Sequence, residues 1–320
     1  MDSTSGHEAG VIALAEQLLG ERGWRTRRIR VNEGRDDLVA TVTDAPGVAL
    51  STHLDTVPPY IPPRLKGDRI EGRGACDAKG IAAAMICAAE KLRDRKVGVA
   101  LLFVVGEENT HDGAAAANRE QSTTRALING EPTESTLALG TKGALRFLLR
   151  TTGKAAHSAY PHLGESATAK LVALLAELPD LELPKDPVLG DTHVNVGALS
   201  GGVADNVMAP HAEARLMARI VRPVDEMIAI FRKWVGKRAT IEIGESVPPV
   251  HLTALPGFPT SVVAYATDVP NLSGWGTPYL LGPGSIHDAH TDREFIKIAE
   301  LRDAVGLYEK LAVTALSHAP

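Results

Sequence analysis

The sequence is poor in cysteine and lacks long apolar runs. Cys76 and Cys87 are the two cysteines among its 320 residues, and a predicted turn leading into a helix places them poorly for a structural disulfide. No apolar run is long enough to span a bilayer, and Met1 does not open a charged and then apolar signal segment. These absences predict a soluble protein of the cytoplasm with no membrane partner.

A surplus of positive charge is also missing. The formal net charge is −5, and aromatic residues make up only 4% of the chain. Without a basic patch interleaved with aromatic residues, we expect no nucleic-acid partner. The apolar content of 44% instead indicates a globular protein with a sizeable core, and 320 residues are enough for two domains.

Apolar strands alternate with helical patterns in the first part of the chain. Residues 48–50 and 97–105 are nearly continuous apolar runs, which is typical of strands in a sheet covered on both faces. A helical pattern at residues 81–92 separates them, and another strand is predicted at residues 125–128. This alternation predicts an α/β fold with a mostly parallel sheet.

The pattern changes near Thr141. Residues 144–152 alternate like a half-exposed strand, and the predicted elements that follow are helix, strand, strand, helix and strand. This order predicts an α+β sandwich inserted into the first domain. We therefore divide the chain into a catalytic domain, residues 1–140 and 245–320, and an inserted domain, residues 141–244.

Acids and a histidine stand where predicted strands end or a helix begins. They are His53, Asp55, Asp77, Glu107, Glu108 and Glu131. The carboxyl ends of parallel strands meet in one crevice, where several carboxylates would repel one another unless cations neutralised them. Histidine and carboxylate ligands suit zinc. Each acid alone is better explained as a helix cap or a solvated loop end, but together they favour a pair of divalent cations.

Five motifs in a fixed order resemble the M20 metallopeptidase family, which includes acetylornithine deacetylase, succinyl-diaminopimelate desuccinylase, aminoacylase and glutamate-releasing carboxypeptidases. The motifs are His53-Leu54-Asp55, residues 74–80 around Asp77, Gly106-Glu107-Glu108, Gly130-Glu131-Pro132-Thr133 and Ala289-His290. The resemblance covers nearly the whole chain. It implies a zinc-peptidase-like mixed sheet flanked by helices, an inserted ferredoxin-like dimerisation or lid domain, and two Zn²⁺ ions, for which Co²⁺ can substitute.

The resemblance implies five metal ligands in this sequence. Asp77 is implied to bridge the two ions. His53 and Glu131 are implied to bind one ion, and Glu108 and His290 to bind the other.

Two residues beside these ligands are given other roles by the resemblance. Glu107 is implied as the general base, and Asp55 as the acid that orients His53. The two-residue spacing supports this pairing, because alternate side chains of a strand share a face. His287 is an alternative ligand three residues before the favoured histidine. The other histidines, His111 among them, are expected to be ordinary surface or core residues.

The inserted domain carries the remaining implied site residues. The resemblance implies that His157 reaches the active site of the partner subunit in a homodimer and stabilises the oxyanion there. It implies that Asn206 and Arg219 hold the substrate's carboxylate. Without the resemblance, His157 would be a polar loop residue and Arg219 a surface charge on an alternating strand. Residues 3–8 resemble the family's early serine-rich stretch, but the helix that usually precedes that stretch is absent from this sequence.

We therefore expect a dizinc hydrolase that cleaves the amide bond of an N-acyl amino acid, similar to acetylornithine deacetylase and the desuccinylase. A dipeptidase or carboxypeptidase with the same two metals is the alternative among enzymes. An inactive homologue that binds a small molecule is the alternative from another class. The presence of Glu107 and of every implied ligand argues against inactivity. The sequence leaves the acyl group and the amino acid open.

Overall fold

The computed structural model describes residues 1–318, which fall into two compact units. The first unit contains Met1–Leu139, Leu252–Ser261 and the described chain from Thr267 onward. The second unit contains Gly140–His251 and Val262–Ala266. The predicted insertion, residues 141–244, lies inside the second unit. This unit extends to His251 because Val250–His251 pairs with Thr141 and Gly140.

Helices and strands alternate through much of the described chain. The α-helices are α1 (Ala9–Glu21), α2 (Lys79–Asp94), α3 (Asp112–Ala117), α4 (Ala167–Leu175), α5 (Val224–Val235) and α6 (Ile298–His318). Short 3-10 helices lie at Pro161–Leu163, Leu178–Asp180, Val269–Asn271 and Ser273–Trp275. The strands are β1 (Arg25–Asn32), β2 (Arg35–Thr41), β3 (Val48–His53), β4 (Arg64–Lys66), β5 (Arg69–Glu71), β6 (Val99–Val104), β7 (Ala126–Asn129), β8 (Leu137–Thr141), β9 (Gly143–Thr152), β10 (Lys185–Asp186), β11 (Gly190–Asp191), β12 (His193–Gly201), β13 (His211–Ile220), β14 (Thr240–Val247), β15 (Val250–His251), β16 (Thr260–Val263), β17 (Thr277–Leu280) and β18 (Phe295–Lys297).

Six strands form the main sheet of the first unit, in the order β1-β2-β6-β3-β7-β17. The strands β6, β3, β7 and β17 run parallel to one another, whereas β2 pairs antiparallel with both β1 and β6. Every residue of β3 and β6 is buried, as expected for apolar strands covered on both faces. This mixed sheet flanked by helices confirms the predicted fold class.

Helices cover both faces of the main sheet. Successive residues of β6 point to opposite faces. Leu101 and Phe103 join a core cluster with residues of α1, α2 and α6, and Leu102 and Val104 join a second cluster that includes alanines of α3 and Trp275. Packing on both faces fixes β3, β6 and β7, so the residues that follow these strands leave the sheet at one defined edge.

A small antiparallel sheet, β18-β5-β4, lies beside the segment that leads into α2. In this sheet Phe295, the first residue of β18, pairs with Glu71, the last residue of β5. The chain just after β5 therefore lies beside the chain just before β18. Residues 72–77 are brought in this way to residues 290–294.

The second unit contains a four-stranded antiparallel sheet in the order β12-β13-β9-β14. With α4 and α5 between strands, the chain order β9-α4-β12-β13-α5-β14 and this strand order match the ferredoxin-like topology. Leu145 and Phe147 on one face of β9 pack with Leu171 of α4 and Phe231 of α5. The strand β12 is an edge strand, and eight of its nine residues are exposed.

No helix within residues 1–318 is both long and apolar enough to cross a membrane.

Candidate metal centre

Three neighbouring parallel strands bring predicted ligands to the same edge of the main sheet. His53 is the last residue of β3, Glu108 follows β6, and Glu131 follows β7. Because β3 pairs in parallel with both neighbours, the three strands end side by side. The Nε2 atom of His53 lies 3.9 Å from Oε2 of Glu131.

Asp77 lies between the two histidines of the cluster. Its Oδ1 is 2.9 Å from Nε2 of His53, and its Oδ2 is 3.2 Å from Nε2 of His290. The same nitrogen of His290 is 2.9 Å from Oε2 of Glu108. One ligand atom each of His53, Asp77 and Glu108 lies within 4.8 Å of the others. Each oxygen of Asp77 thus lies close to a ring nitrogen of a different histidine.

His290, rather than His287, contacts this cluster. Both side chains are exposed, but Nε2 of His290 makes the contacts with Asp77 and Glu108, whereas the backbone N–H of His287 donates to Oγ of Ser285. His290 has a positive φ of 62°, a left-handed conformation that costs free energy in residues other than glycine and is found at functional sites. His290 thus adopts an unusual backbone conformation at the position where its ring contacts Asp77 and Glu108.

The buried negative charge of the cluster bears on whether these residues can bind metal ions. Asp77, Glu107 and Glu131 are buried, and Oε1 of Glu131 has no hydrogen-bond partner among the described residues. Burial raises the pKa of Glu131 well above its ordinary value; His53 lowers that pKa, and the charges of Asp77 and Glu108 raise it further. Buried, mutually repelling carboxylates beside two imidazoles are a donor set that suits zinc. The residues present therefore fit divalent cations.

Asp55 supports both the histidine and the acidic loop. Its backbone oxygen lies 3.0 Å from Nδ1 of His53, and its Oδ1 lies 3.5 Å from the same nitrogen. The carboxylate also accepts the backbone N–H groups of Glu107 at 3.1 Å and Glu108 at 3.2 Å, and the hydroxyl of Ser5 at 2.7 Å. The sequence predicted only the contact with His53.

The sequence model of peptidase family M20/M25/M40 matches residues 49–314 of the chain. The chain belongs to this family. A Schizosaccharomyces pombe protein described as a peptidase M20 domain-containing protein is 36% identical over 98% of this chain and 82% of its own. A probable carboxypeptidase of Aspergillus terreus is 42% identical over 85% of this chain and 71% of its own.

Solved structures show the same fold as this M20 peptidase. A tripeptidase from Staphylococcus aureus superposes with a TM-score of 0.81 at 21% identity, over 98% of this chain and 95% of its own. The family match confirms that the protein is a metal-dependent hydrolase that acts on amide or peptide bonds.

The loop that carries Glu107 in this M20 peptidase contains a histidine whose position the sequence did not predict. His111 was expected to be an ordinary residue, but one of its ring nitrogens lies within 4.8 Å of carboxylate oxygens of Glu107 and Asp268. Its Nδ1 is 2.9 Å from Oδ1 of Asp268. Arg35 fixes the end of the same loop through an ion pair of 2.6 Å with Asp112. The closeness of His111 to Glu107 along the chain was the only signal in the sequence.

The residues predicted in the inserted domain lie in the second unit. His157 is exposed and forms an isolated antiparallel bridge with Val207. The N–H of Ser158 donates to the carbonyl oxygen of Asn206 at 3.0 Å. The structure thus brings the loop of His157 to Asn206 within this unit. Arg219 lies on β13, in register with His193 of β12.

Proposed function

We propose that this M20 hydrolase uses two zinc ions to cleave an amide bond whose nitrogen belongs to an amino acid with a free carboxylate. The position of Asp77 carries the proposal, because its two oxygens lie at 2.9 Å and 3.2 Å from His53 and His290. We assign Asp77 as the bridging ligand, His53 and Glu131 to one ion, and Glu108 and His290 to the other.

The chain's own residues supply the proton transfer. When bound, the two cations activate a water molecule and polarise the scissile carbonyl. Glu107 is buried beside this donor set and is assigned no metal. We therefore assign its carboxylate to accept the proton of the attacking water and to pass it to the leaving amine. Asp55 holds the main chain of Glu107 and so keeps the base in place.

The second unit supplies the proposed substrate contacts. We assign His157 to the oxyanion, where a donor must lie about 2.7–3.1 Å from the developing charge. We assign Asn206 and Arg219 to the substrate's carboxylate, which guanidinium and amide groups suit. The segments of His157 and Asn206 pair with each other, which supports the assignment of both residues to contacts with the same substrate.

The substrate is an N-acyl amino acid or a peptide cut at its C-terminal residue. Both have the same reacting bond and the same free carboxylate. The sequence motifs favour the acyl substrate, whereas the probable carboxypeptidase similar to this chain favours the peptide. An inactive binding protein would not need a base, and Glu107 is in place.

A substrate panel tests this function. The panel contains N-acetyl amino acids, N-succinyl amino acids and dipeptides. Each dipeptide is compared with the same dipeptide carrying an amidated C-terminus, and every assay contains Zn²⁺ or Co²⁺. We expect cleavage of the substrates that have a free carboxylate, and we expect a chelator to abolish that cleavage. The amidated dipeptides should be cleaved little. Cleavage that persists after complete metal removal would disprove the metal role, and equal cleavage of amidated dipeptides would disprove the carboxylate requirement.

We also propose a homodimer formed through the second unit, in which His157 serves the partner's metal centre. The exposed edge strand β12 supports this proposal, because Val196 is 38% and Leu199 is 54% exposed on it. An unpaired edge with exposed apolar side chains can pair with its own copy around a twofold axis.

Mixing two inactive variants tests the dimer. His157→Ala and Glu107→Gln each remove one group from every site of their own homodimer. After subunit exchange, half of the dimers are hybrids and one site in each hybrid has both groups. We therefore expect activity to return to about a quarter of the wild-type value. If exchange is demonstrated and no activity returns, His157 acts within its own chain or has no catalytic role.

A further inference from the structure

A buried glutamate outside the ligand set connects the two segments that carry Asp77 and His290. Glu294 follows His290 by four residues, and its side chain is completely buried. Its Oε1 accepts the backbone N–H groups of Cys76 at 3.0 Å and Asp77 at 3.1 Å. One carboxylate oxygen thus binds the main chain of the proposed bridging ligand.

The other oxygen of Glu294 binds an arginine of the same segment. Nη1 of Arg73 donates to Oε2 at 2.7 Å, and the arginine side chain is only 2% exposed. The backbone carbonyl of Glu294 accepts the N–H of Gly72 at 2.9 Å. Residues 72–77 are therefore held to this one residue at four points, and both charges of the pair are compensated.

Close packing also holds residues 72–77 against the chain shortly before His290. Sγ of Cys76 lies 3.5 Å from the carbonyl oxygen of Ser285. A Cβ atom added to Gly284 would lie 2.5 Å from this sulfur, and Gly284 has a φ of +83° that favours glycine. The segments thus have little freedom to slide past each other.

We propose that Glu294, paired with Arg73, is a positioning residue that holds Asp77 in register with His290 and so sets the affinity of the protein for the metal pair. The proposal rests on the proposed two-metal site. Glu294 is not a ligand, because both of its oxygens already accept hydrogen bonds within residues 72–77. It acts through the main chain of Asp77, which decides where the two oxygens of that side chain point.

The Glu294→Gln substitution separates this role from simple space filling. The glutamine side chain has nearly the volume of glutamate, but it carries no charge and turns an N–H₂ group toward either Arg73 or the backbone N–H groups. At least one buried donor then loses its acceptor. Residues that support a metal ligand typically change metal affinity about 10- to 100-fold when they are replaced.

The test measures metal affinity directly, by competition of metal-free protein with a chromophoric chelator for Zn²⁺ and Co²⁺. We expect Glu294→Gln to bind the metals about 10- to 100-fold more weakly than the wild-type protein, with a changed visible spectrum of the Co²⁺ form. At saturating metal, its kcat should return to within a few-fold of wild type, because Glu294 does not touch the reacting atoms. The matched control is Glu300→Gln, which removes a partly exposed partner of Lys297 and should bind metal like the wild type.

Arg73→Lys provides a second variant that keeps the positive charge, and it carries the test if Glu294→Gln does not fold. We expect it to fold and to bind metal more weakly than wild type. Wild-type metal affinity in either folded variant would overturn the proposal. A kcat that stays low at saturating metal would also overturn it, because Glu294 would then act in catalysis. If the wild-type protein itself does not bind two ions, the proposed function fails separately.

Discussion

We expect the Glu107→Gln variant to cleave its best substrate on the order of 10²–10⁴-fold more slowly than the wild-type protein. Glutamine keeps the shape of the side chain but cannot accept the proton of the attacking water. The loss corresponds to about 3–5 kcal/mol at the transition state. The N–H of residue 107 still donates to Asp55, so the loop and the metal donors should stay in place.

The measurement for Glu107→Gln is kcat at saturating substrate and metal, together with metal content and thermal unfolding. Glu33→Gln is the matched control, because Glu33 is exposed in the turn between β1 and β2. This control should have wild-type kcat. Turnover of pure Glu107→Gln protein within a few-fold of wild type would show that another group is the base.

The second large effect is expected from Asp77→Asn, which should lose metal and activity together. The substitution removes the negative charge shared by the two proposed metal positions. It also turns an N–H₂ donor toward either His53 or His290, which now lie 2.9 Å and 3.2 Å from carboxylate oxygens. A neutral amide is a poor zinc ligand. We expect at least one ion to bind more than about 100-fold more weakly, beyond the range typical of residues that only support a ligand.

Metal analysis and calorimetric titration check this result. Wild-type protein purified without chelator should contain more than one equivalent of zinc or a substitute. Asp292→Asn is the control, since the side chain of Asp292 is 90% exposed. Saturation of the wild-type protein at one ion would disprove the metal pair. Two ions bound to Asp77→Asn with wild-type affinity would disprove the bridging role.

The sequence predicted the parts of the fold and site that follow from local patterns. The apolar run before His53 and the run before Glu107 and Glu108 predicted buried strands, and both are strands buried on both faces. Parallel strands end at one edge, so the convergence of His53, Glu108 and Glu131 followed from the strand assignment. The order of elements after Thr141 similarly predicted an α+β arrangement, and the resemblance implied that it is ferredoxin-like.

The supporting contacts were not predictable, because they join loops that are distant in the sequence. Asp268 pairs with His111 across 157 positions, and Glu294 binds the N–H of Asp77 across 217 positions. No periodicity relates such residues. The contact of Ser5 with Asp55 likewise depends on a parallel bridge between Thr4 and Thr56, which only the folded chain forms.

The ends of the long stretch of the second unit lie side by side. Gly140 and His251 are register partners in an antiparallel pair, so the chain leaves the first unit and returns to it through neighbouring positions. An insert with adjacent ends can be gained, lost or exchanged without lengthening the strands of its host. Recombination at this point can therefore exchange Gly140–His251 as one module, while the main sheet that carries the acidic cluster keeps its connections.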